Sequence, residues 1–239
     1  WEYSLNGFNN WQPILSGTSY SPSSLTSDRY YRVRTISDFG CGPVYSNTVH
    51  INVFNPLSSG AIGNSQNICF STIPDSLSFI VLPSGADGNY TYTWQESTDN
   101  QQWTNIPQTD SITYQPPILN ESRYYRTLVS SDFGCGTVET SSIMVNVYDE
   151  FITGSINVTD TICYNTGANS IFTLNPPSGG NTPYSYVWSY STDSVNWTNV
   201  PGNNIPSYNP SFLTDTTYFR VNYISNSGCG ELFSNSSQV

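Results

Sequence analysis

The sequence contains no lysine at all, and its six cationic side chains are all arginines. A protein kinase needs a lysine on a strand to hold the nucleotide phosphates, so the two Asp-Phe-Gly triplets at 38–40 and 132–134 do not indicate a kinase. Only one histidine is present and no Cys-x-x-Cys pair occurs, so the usual zinc ligands are not clustered along the chain. We therefore expect no catalytic activity, no metal site and no cofactor.

Charge is also scarce in this chain. Charged residues make up 10% of the 239 residues, and acidic side chains dominate them, so the formal net charge is -11 and the pI is near 4.1. This negative excess disfavours DNA, RNA and anionic membranes as partners. The sequence has no run of about 18 apolar residues, so we expect no direct membrane insertion as a helix. Aromatic residues, at 15%, supply enough apolar surface for folded domains.

What the sequence does contain is an internal repeat. A step of 94 residues relates three series of side chains, which are Cys41, Cys135 and Cys229; Arg32, Arg126 and Arg220; and Tyr20, Tyr114 and Tyr208. Self-similarity at a fixed period predicts tandem domains. We predict repeat one at 1–55, N-terminally incomplete, repeat two at 56–149 and repeat three at 150–239. Because Trp1 aligns with Trp94, which lies well inside its own repeat, we expect a window of a longer array whose neighbouring repeats are its partners.

The odd number of cysteines fits this phase. Cys69 and Cys135 are 66 residues apart, as are Cys163 and Cys229, so the spacing predicts one disulfide within each full repeat and leaves the partner of Cys41 outside the chain. Closing a loop of this size stabilises a domain by roughly 4 kcal/mol on the chain-entropy model. Such bonds persist in oxidising compartments, which predicts an extracellular location. The glycines beside each second cysteine predict tight turns with positive φ.

Short β-rich runs separated by turn residues fill each repeat. In repeat two they predict strands near 66–72, 77–82, 90–97, 102–106, 111–114, 123–130 and 137–147. About seven strands in about 94 residues favour a sandwich of two sheets. We expect Trp94 in its core, facing Tyr125, Thr127 and Val129, which alternate on one strand.

The order cysteine, tryptophan, cysteine resembles the immunoglobulin-like superfamily, and the segment LTDTTYFR (213–220) resembles its tyrosine corner. This resemblance implies an all-β chain of tandem immunoglobulin-like sandwiches. One departure is that each second cysteine follows the sixth strand, in the turn to the seventh, while Cys69 lies early. The sequence therefore predicts a bridge at one end of the sandwich rather than through its centre.

A closer resemblance covers nearly the whole chain. The segments Tyr92 to Trp103, Tyr114 to Arg126 and Cys41 to Val49 are similar to repeats of very large cell-surface proteins of the Bacteroidetes, of which the SprB-type gliding adhesins are the best-known class. The resemblance implies export by the type IX secretion system, display on the cell surface as a long fibre, and a part in gliding motility.

Two repeated features have competing interpretations. The segments STDNQQW (97–103) and STDSVNW (191–197) resemble the sialidase Asp-box with one residue fewer, but a hairpin turn explains them more simply. Arg126 and Arg220 are expected to face away from the core. We expect each repeated arginine to stack on the hairpin tryptophan across the sheet, Arg32 on Trp11, Arg126 on Trp103 and Arg220 on Trp197. The alternative is that Trp103, Trp197, Arg126 and Arg220 face a ligand.

Aspartate followed by serine or threonine and a small or apolar residue occurs five times. It resembles the O-glycosylation signal of exported Bacteroidetes proteins, which makes covalent O-glycans expected partners. The candidate acceptors are Ser76, Ser111, Thr161, Ser194 and Thr216. The alternative is that Asp-Ser/Thr pairs are ordinary turn formers.

These observations favour a structural and adhesive segment of a long, secreted cell-surface fibre. The alternative is an array of carbohydrate-binding modules that stack exposed Tyr and Trp on a surface polysaccharide. Exposed, flat tryptophan faces would favour binding, and tryptophans covered by the arginine and the hairpin would favour the fibre.

Overall fold

The computed structural model describes residues 1–157 and 160–239. These residues form two compact units, the first made of 1–59, 83–91 and 129–138 and the second of 60–82, 92–128 and 139–239. The first unit contains repeat one with two segments of repeat two. The described residues contain strands and one 3-10 turn, and none of their helical segments is long and apolar enough to cross a membrane.

Repeat one supplies six short strands. Their bounds are β1 Glu2–Ser4, β2 Gln12–Pro13, β3 Arg29–Arg32, β4 Arg34–Ile36, β5 Pro43–Tyr45 and β6 Val49–Ile51. They form an antiparallel sheet in the order β2-β1-β3-β6 and a separate hairpin of β4 and β5.

Repeat two forms two sheets. Its strands are β7 Ala61–Gly63, β8 Gln66–Ile68, β9 Leu77–Val81, β10 Tyr90–Ser97, β11 Thr104–Asn105, β12 Thr113–Tyr114, β13 Arg123–Ser131, β14 Thr137–Glu139 and β15 Ile143–Val147. One sheet has the order β11-β10-β13-β15-β8, with β14 also on β13, and the other has the order β12-β9-β7. β8 runs parallel to β15, whereas β13 and β15 are antiparallel.

Repeat three has the same plan. Its elements are β16 Ser155–Ile156, β17 Ile171–Asn175, β18 Ser185–Ser191, β19 Thr198–Asn199, β20 Ser207–Tyr208, β21 Tyr218–Ile224, a 3-10 turn at Asn226–Gly228, β22 Glu231–Phe233 and β23 Ser237–Gln238. The larger sheet has the order β19-β18-β21-β22, with β23 also on β21, and the smaller has the order β16-β17-β20.

The cores confirm the predicted alternation. Trp94 and Trp188 are fully buried, and each indole N–H donates to a backbone carbonyl 2.9 Å away. On β13, aromatic and β-branched residues suit a pleated strand, and the predicted core residues Tyr125, Thr127 and Val129 are all fully buried. Buried apolar side chains of this size each contribute about 1.5–3 kcal/mol, so these positions carry much of the stability.

In repeat two the repeated tyrosine, Tyr114, lies between the core tryptophan and strand β13. Tyr114 lies 5.7 Å from Trp94 and 5.9 Å from Tyr125, measured between ring centroids. The same three-ring contact recurs at Trp1, Tyr20 and Tyr31 and at Trp188, Tyr208 and Phe219. Tilted ring pairs at these distances add to the stability gained by burial alone.

The strand expected at 137–147 is interrupted. Thr140 donates its N–H to the Thr127 carbonyl and accepts the Thr127 N–H on its hydroxyl, each at 3.0 Å. A hydroxyl thus replaces a ladder carbonyl, and the strand divides into β14 and β15. Ser46 and Ser234 make the same pair of bonds in the other repeats.

Candidate functional site

The segment after the core tryptophan is a hairpin, as predicted. β10 pairs with β11 and β18 pairs with β19, both antiparallel. In the first turn the Asp99 carboxylate accepts the N–H groups of Gln101 and Gln102, both at 2.8 Å, and the Ser97 hydroxyl at 2.9 Å. The bond from Gln102, followed by that from Gln101, lowers the pKa of Asp99 below its usual value.

The same turn recurs in the other two repeats, with a carboxylate as the acceptor in repeat three and a neutral amide in repeat one. Asp193 accepts the N–H groups of Asn196 and Val195 at 2.7 and 2.9 Å, and these bonds lower its pKa strongly. In repeat one a neutral amide takes this place, because the Asn6 side-chain oxygen accepts the Phe8 N–H at 3.0 Å. The acidic residue therefore acts as a turn cap, which explains the Asp-box resemblance without catalysis.

The repeated arginine lies over the hairpin tryptophan in all three repeats. The distance from the guanidinium carbon to the ring centroid is 4.0 Å for Arg32 over Trp11, 4.4 Å for Arg126 over Trp103 and 4.1 Å for Arg220 over Trp197. The predicted stack across the sheet is present in every copy. At these distances a guanidinium is attracted by the negative face of the indole.

The other face of each arginine differs among the repeats. Arg32 and Arg220 each contact a second ring, at 4.0 Å from Tyr45 and Phe233 respectively. At the equivalent place Glu139 forms an ion pair with Arg126, at 2.6 Å between nitrogen and oxygen. We call each arginine with the side chains on its two faces an arginine sandwich.

The guanidinium Nε anchors each sandwich to the strand of the core tryptophan. It donates to Glu2 at 3.0 Å, to Gln95 at 2.7 Å and to Ser189 at 3.4 Å. Burial lowers the pKa of Arg220. The sandwiches therefore cover one face of each hairpin tryptophan, and Trp103 is only half exposed.

The predicted disulfide pairs Cys69–Cys135 and Cys163–Cys229 are wrong. The structure joins Cys69 of repeat two to Cys229 of repeat three, with Cα atoms 5.2 Å apart and a sequence separation of 160 residues. Cys41, Cys135 and Cys163 are free and exposed. The bridge lies across the joint between two repeats and not at one end of a single sandwich.

The course of the chain along β21 explains why Cys163 and Cys229 do not pair. Cys163 lies near the beginning of β21, because the neighbouring Asn165 donates its N–H to the Leu213 carbonyl at 2.9 Å. Cys229 follows the other end of β21, in the turn to β22. The seven residues of β21 separate these ends by roughly 23 Å, whereas a disulfide requires Cα atoms within about 7 Å.

The turns that hold the second cysteines confirm the prediction from their glycines. The flanking glycines all have positive φ, at 80 and 81° for Gly40 and Gly42, 70 and 97° for Gly134 and Gly136, and 73 and 109° for Gly228 and Gly230. A residue with a side chain adopts this region only at a cost. The glycines therefore serve the turn and not a metal.

The two joints between repeats share a set of contacts that was not predicted from the sequence. Ala86 donates its N–H to the Asn55 carbonyl, and 94 residues later Gly180 donates to the Asp149 carbonyl, both at 2.8 Å. Aromatic rings also meet there, with 5.9 Å between the centroids of Phe54 and Phe133 and 5.7 Å between those of Phe151 and Tyr184.

Two in-phase glycines make this close approach possible. A Cβ on Gly85 would lie 2.0 Å from the Pro56 carbonyl oxygen, and one on Gly179 would lie 1.8 Å from that of Glu150. Both glycines have positive φ. Their recurrence at the repeat period, each five residues before a tyrosine that donates its hydroxyl to the glycine carbonyl, was the available sequence signal.

The O-glycosylation candidates all lie on the surface. Exposed side chains are found at Ser76, Ser111, Thr161, Ser194 and Thr216. Aspartates of the motifs are used in local bonds, since Asp110 accepts the Tyr92 N–H at 2.8 Å and Asp160 accepts the Asn169 N–H at 3.0 Å. These two carboxylates therefore join segments 18 and 9 residues apart, and modification of the five hydroxyls stays a prediction.

Two open depressions lie beside cysteines. One, of about 160 Å³, surrounds the Cys69–Cys229 bond and is lined by 69–70, 149–151 and 229–232. The other, of about 330 Å³, is lined by 160–164, 213–216 and 238–239, and we call it the Cys163 depression. In the ranges that the structure describes, no group of three or more His, Cys, Asp or Glu side chains could hold a metal ion.

Solved structures similar to this chain are tandem immunoglobulin-like domains. A crystal structure of consecutive titin domains matches with a TM-score of 0.50 and 15% identity, covering 100% of this chain and 87% of that chain. The three N-terminal domains of the outer capsid protein Hoc of bacteriophage RB49 match with a TM-score of 0.44 and 10% identity, covering 93% and 88%. At these identities the titin likeness shows the fold alone, and it confirms a tandem immunoglobulin-like chain.

The chain belongs to the family described as "Domain of unknown function (DUF8696)", which matches it three times, at residues 1–55, 58–149 and 152–239. No curated protein sequence matches it. Repeats of about 90 residues and their fold are therefore established together, while no relative supplies a function.

Proposed function

We propose that this chain is a structural and adhesive segment of a long extracellular fibre, in which its repeats act as spacers. The observation that carries the proposal is the Cys69–Cys229 bond, because it fixes one repeat to the next. A bond within a repeat would stabilise a domain, whereas a bond across a joint restricts how two domains move. Disulfides also persist outside the reducing cytoplasm, which supports a place at the cell surface.

The arginine sandwiches support the spacer role over carbohydrate binding. A sugar-binding tryptophan offers a free face to the sugar ring, whereas a guanidinium occupies one face of Trp103 and of Trp197. In the alternative, Trp103, Trp197, Arg126 and Arg220 contact a surface polysaccharide. The sugar would then have to stack on the indole face that the guanidinium leaves open.

The spacer role is tested by measuring how repeats two and three tumble. Nitrogen-15 relaxation should give both repeats one correlation time in the oxidised chain. Separate, shorter correlation times should appear in the Cys229→Ser variant, while Cys135→Ser is the matched control that leaves the bond intact. Independent tumbling of the oxidised repeats would refute the proposal.

The binding alternative and the location have their own measurements. Binding to a polysaccharide panel that is lost in Trp103→Ala and Trp197→Ala would favour the carbohydrate-binding array. Antibody labelling of intact producing cells without permeabilisation is expected for a surface fibre. The finer assignment, to a type IX-exported gliding adhesin that carries O-glycans, requires loss of this labelling in a secretion mutant and sugar mass on the five candidate hydroxyls.

A further inference from the structure

The turn around the free Cys163 has the same geometry as the turn around the bonded Cys69. The Thr72 hydroxyl donates to the Cys69 carbonyl at 2.7 Å, and the Thr166 hydroxyl donates to the Cys163 carbonyl at 2.5 Å. The bridge that pairs Thr72 with Leu119 recurs between Thr166 and Leu213. Cys163 is therefore held in the conformation in which its counterpart forms a bond.

The two cysteines differ in what covers them. Phe70, beside Cys69, is half-buried in a depression whose other wall is the turn of repeat three at 229–232. The equivalent Tyr164 is 79% exposed. The Cys163 depression thus presents, uncovered, the surface that repeat three covers on repeat two.

The free second cysteines are likewise placed as Cys229 is. Ser131 donates its N–H to the Gly136 carbonyl at 3.4 Å, as Ser225 does to Gly230 at 3.0 Å, and both pairs close the turn that carries the cysteine. The joint between repeats one and two also has the backbone bond found at the bridged joint. Cys135 therefore has the same position relative to the joint between repeats one and two as Cys229 has relative to the joint between repeats two and three.

We propose that the Cys163 depression is the docking site for a further copy of this repeat, sealed by a disulfide from Cys163 to the second cysteine of that copy. By the same rule, Cys135 and Cys41 each pair with the first cysteine of the repeat that precedes their own. The array would then carry one covalent bond across every joint. This inference concerns connectivity and stands whether or not the fibre is adhesive.

The bond forms by oxidation of two thiols. The thiols release two protons and two electrons, one S–S bond forms, and a disulfide oxidant is reduced to two thiols. Oxidised glutathione serves as that oxidant in the experiment below.

The first test uses the chain as it stands. Alkylation without reduction, followed by peptide mass mapping, should place labels on Cys41, Cys135 and Cys163 and find Cys69 linked to Cys229. A Cys69–Cys135 link would contradict the proposal that a first cysteine bonds the second cysteine of the following repeat.

The second test extends the chain in phase by appending a copy of residues 146–239. After oxidation with glutathione, the label should move from Cys163 to its copy, and Cys163 should be linked to the copy of Cys229. The matched control, Cys163→Ser in the extended chain, should leave the copied second cysteine labelled and the Cys69–Cys229 link unchanged.

An independent variant guards against a poorly folded extension. A second copy of 56–149 inserted after Asp149 should link the original Cys69 to the copied Cys135, and the copied Cys69 to Cys229. Links within one copy, or a free Cys163 in an extended chain that retains Cys69–Cys229, would overturn the proposal.

Discussion

Replacing Arg220 with methionine is expected to lower the opening free energy of repeat three by about 1–2 kcal/mol. Methionine keeps an unbranched apolar side chain but removes the guanidinium, which lies 4.1 Å from the Trp197 centroid and 4.0 Å from that of Phe233. Each such contact contributes about 0.5–1 kcal/mol at partly exposed sites. The bond to Ser189, at 3.4 Å, is long and adds little.

Arg126 provides a matched comparison within the same chain. It has one aromatic face, on Trp103, and an ion pair with Glu139, whose side chain is 57% exposed. Exposed ion pairs contribute about 0–1 kcal/mol and are screened by salt. The loss in Arg126→Met should therefore shrink as salt is raised, whereas the loss in Arg220→Met should change little.

Hydrogen exchange followed by mass spectrometry measures the opening of β21 separately from the other repeats. A double-mutant cycle with Trp197→Leu should give a coupling of about 0.5–1 kcal/mol. Arg220→Lys keeps the charge but loses the planar group, so it should recover only part of the stability. A coupling near zero, with both single variants destabilised, would refute the stack as a source of stability.

Three further predictions concern the core, the joint and the hairpin. Trp94→Ala should destabilise repeat two by about 3–5 kcal/mol in calorimetry; an unshifted transition would contradict its burial. Gly179→Ala places a Cβ 1.8 Å from the Glu150 carbonyl oxygen and should speed proteolysis at 149–154, while Gly202→Ala, with nothing within 4 Å, should not. The lowered pKa of Asp193 means that its carboxylate stabilises the fold above its unfolded pKa and loses this effect as the pH falls through the folded pKa. Asp193→Asn should therefore flatten the acid side of the plot of urea midpoint against pH, and an unchanged plot would refute the cap.

Local patterns predicted the fold well, because each depends on neighbouring residues. Alternation placed Tyr125, Thr127 and Val129 in the core, and the glycines around Cys135 predicted the turn with positive φ. The arginine stack followed from strand alternation and the hairpin. The short strand β7, Ala61–Gly63, was not predicted, and it lies in a different sheet from β8.

The disulfide could not be predicted from periodicity alone. A fixed repeat step allows two pairings. Each first cysteine can bond the second cysteine of its own repeat or the second cysteine of the next repeat, and both pairings recur every 94 residues. The choice between Cys135 and Cys229 for Cys69 depends on strand direction, which places the two cysteines of one repeat at opposite ends of its sixth strand. The joint glycines Gly85 and Gly179 were missed for a related reason, because their role appears only when two repeats meet.

The Cys69–Cys229 bond also changes how this chain would respond to tension. When Trp1 and Val239 are pulled apart, the shortest covalent path leaves the backbone at Cys69 and rejoins it at Cys229. Residues 70–228, which make up most of repeats two and three, then lie outside that path, so their extension would not lengthen the molecule. The taut chain would reach roughly 280 Å, against roughly 840 Å for the reduced polypeptide, at about 3.5 Å per residue. The thiol–disulfide balance of the surroundings would thus set the maximum reach of this segment.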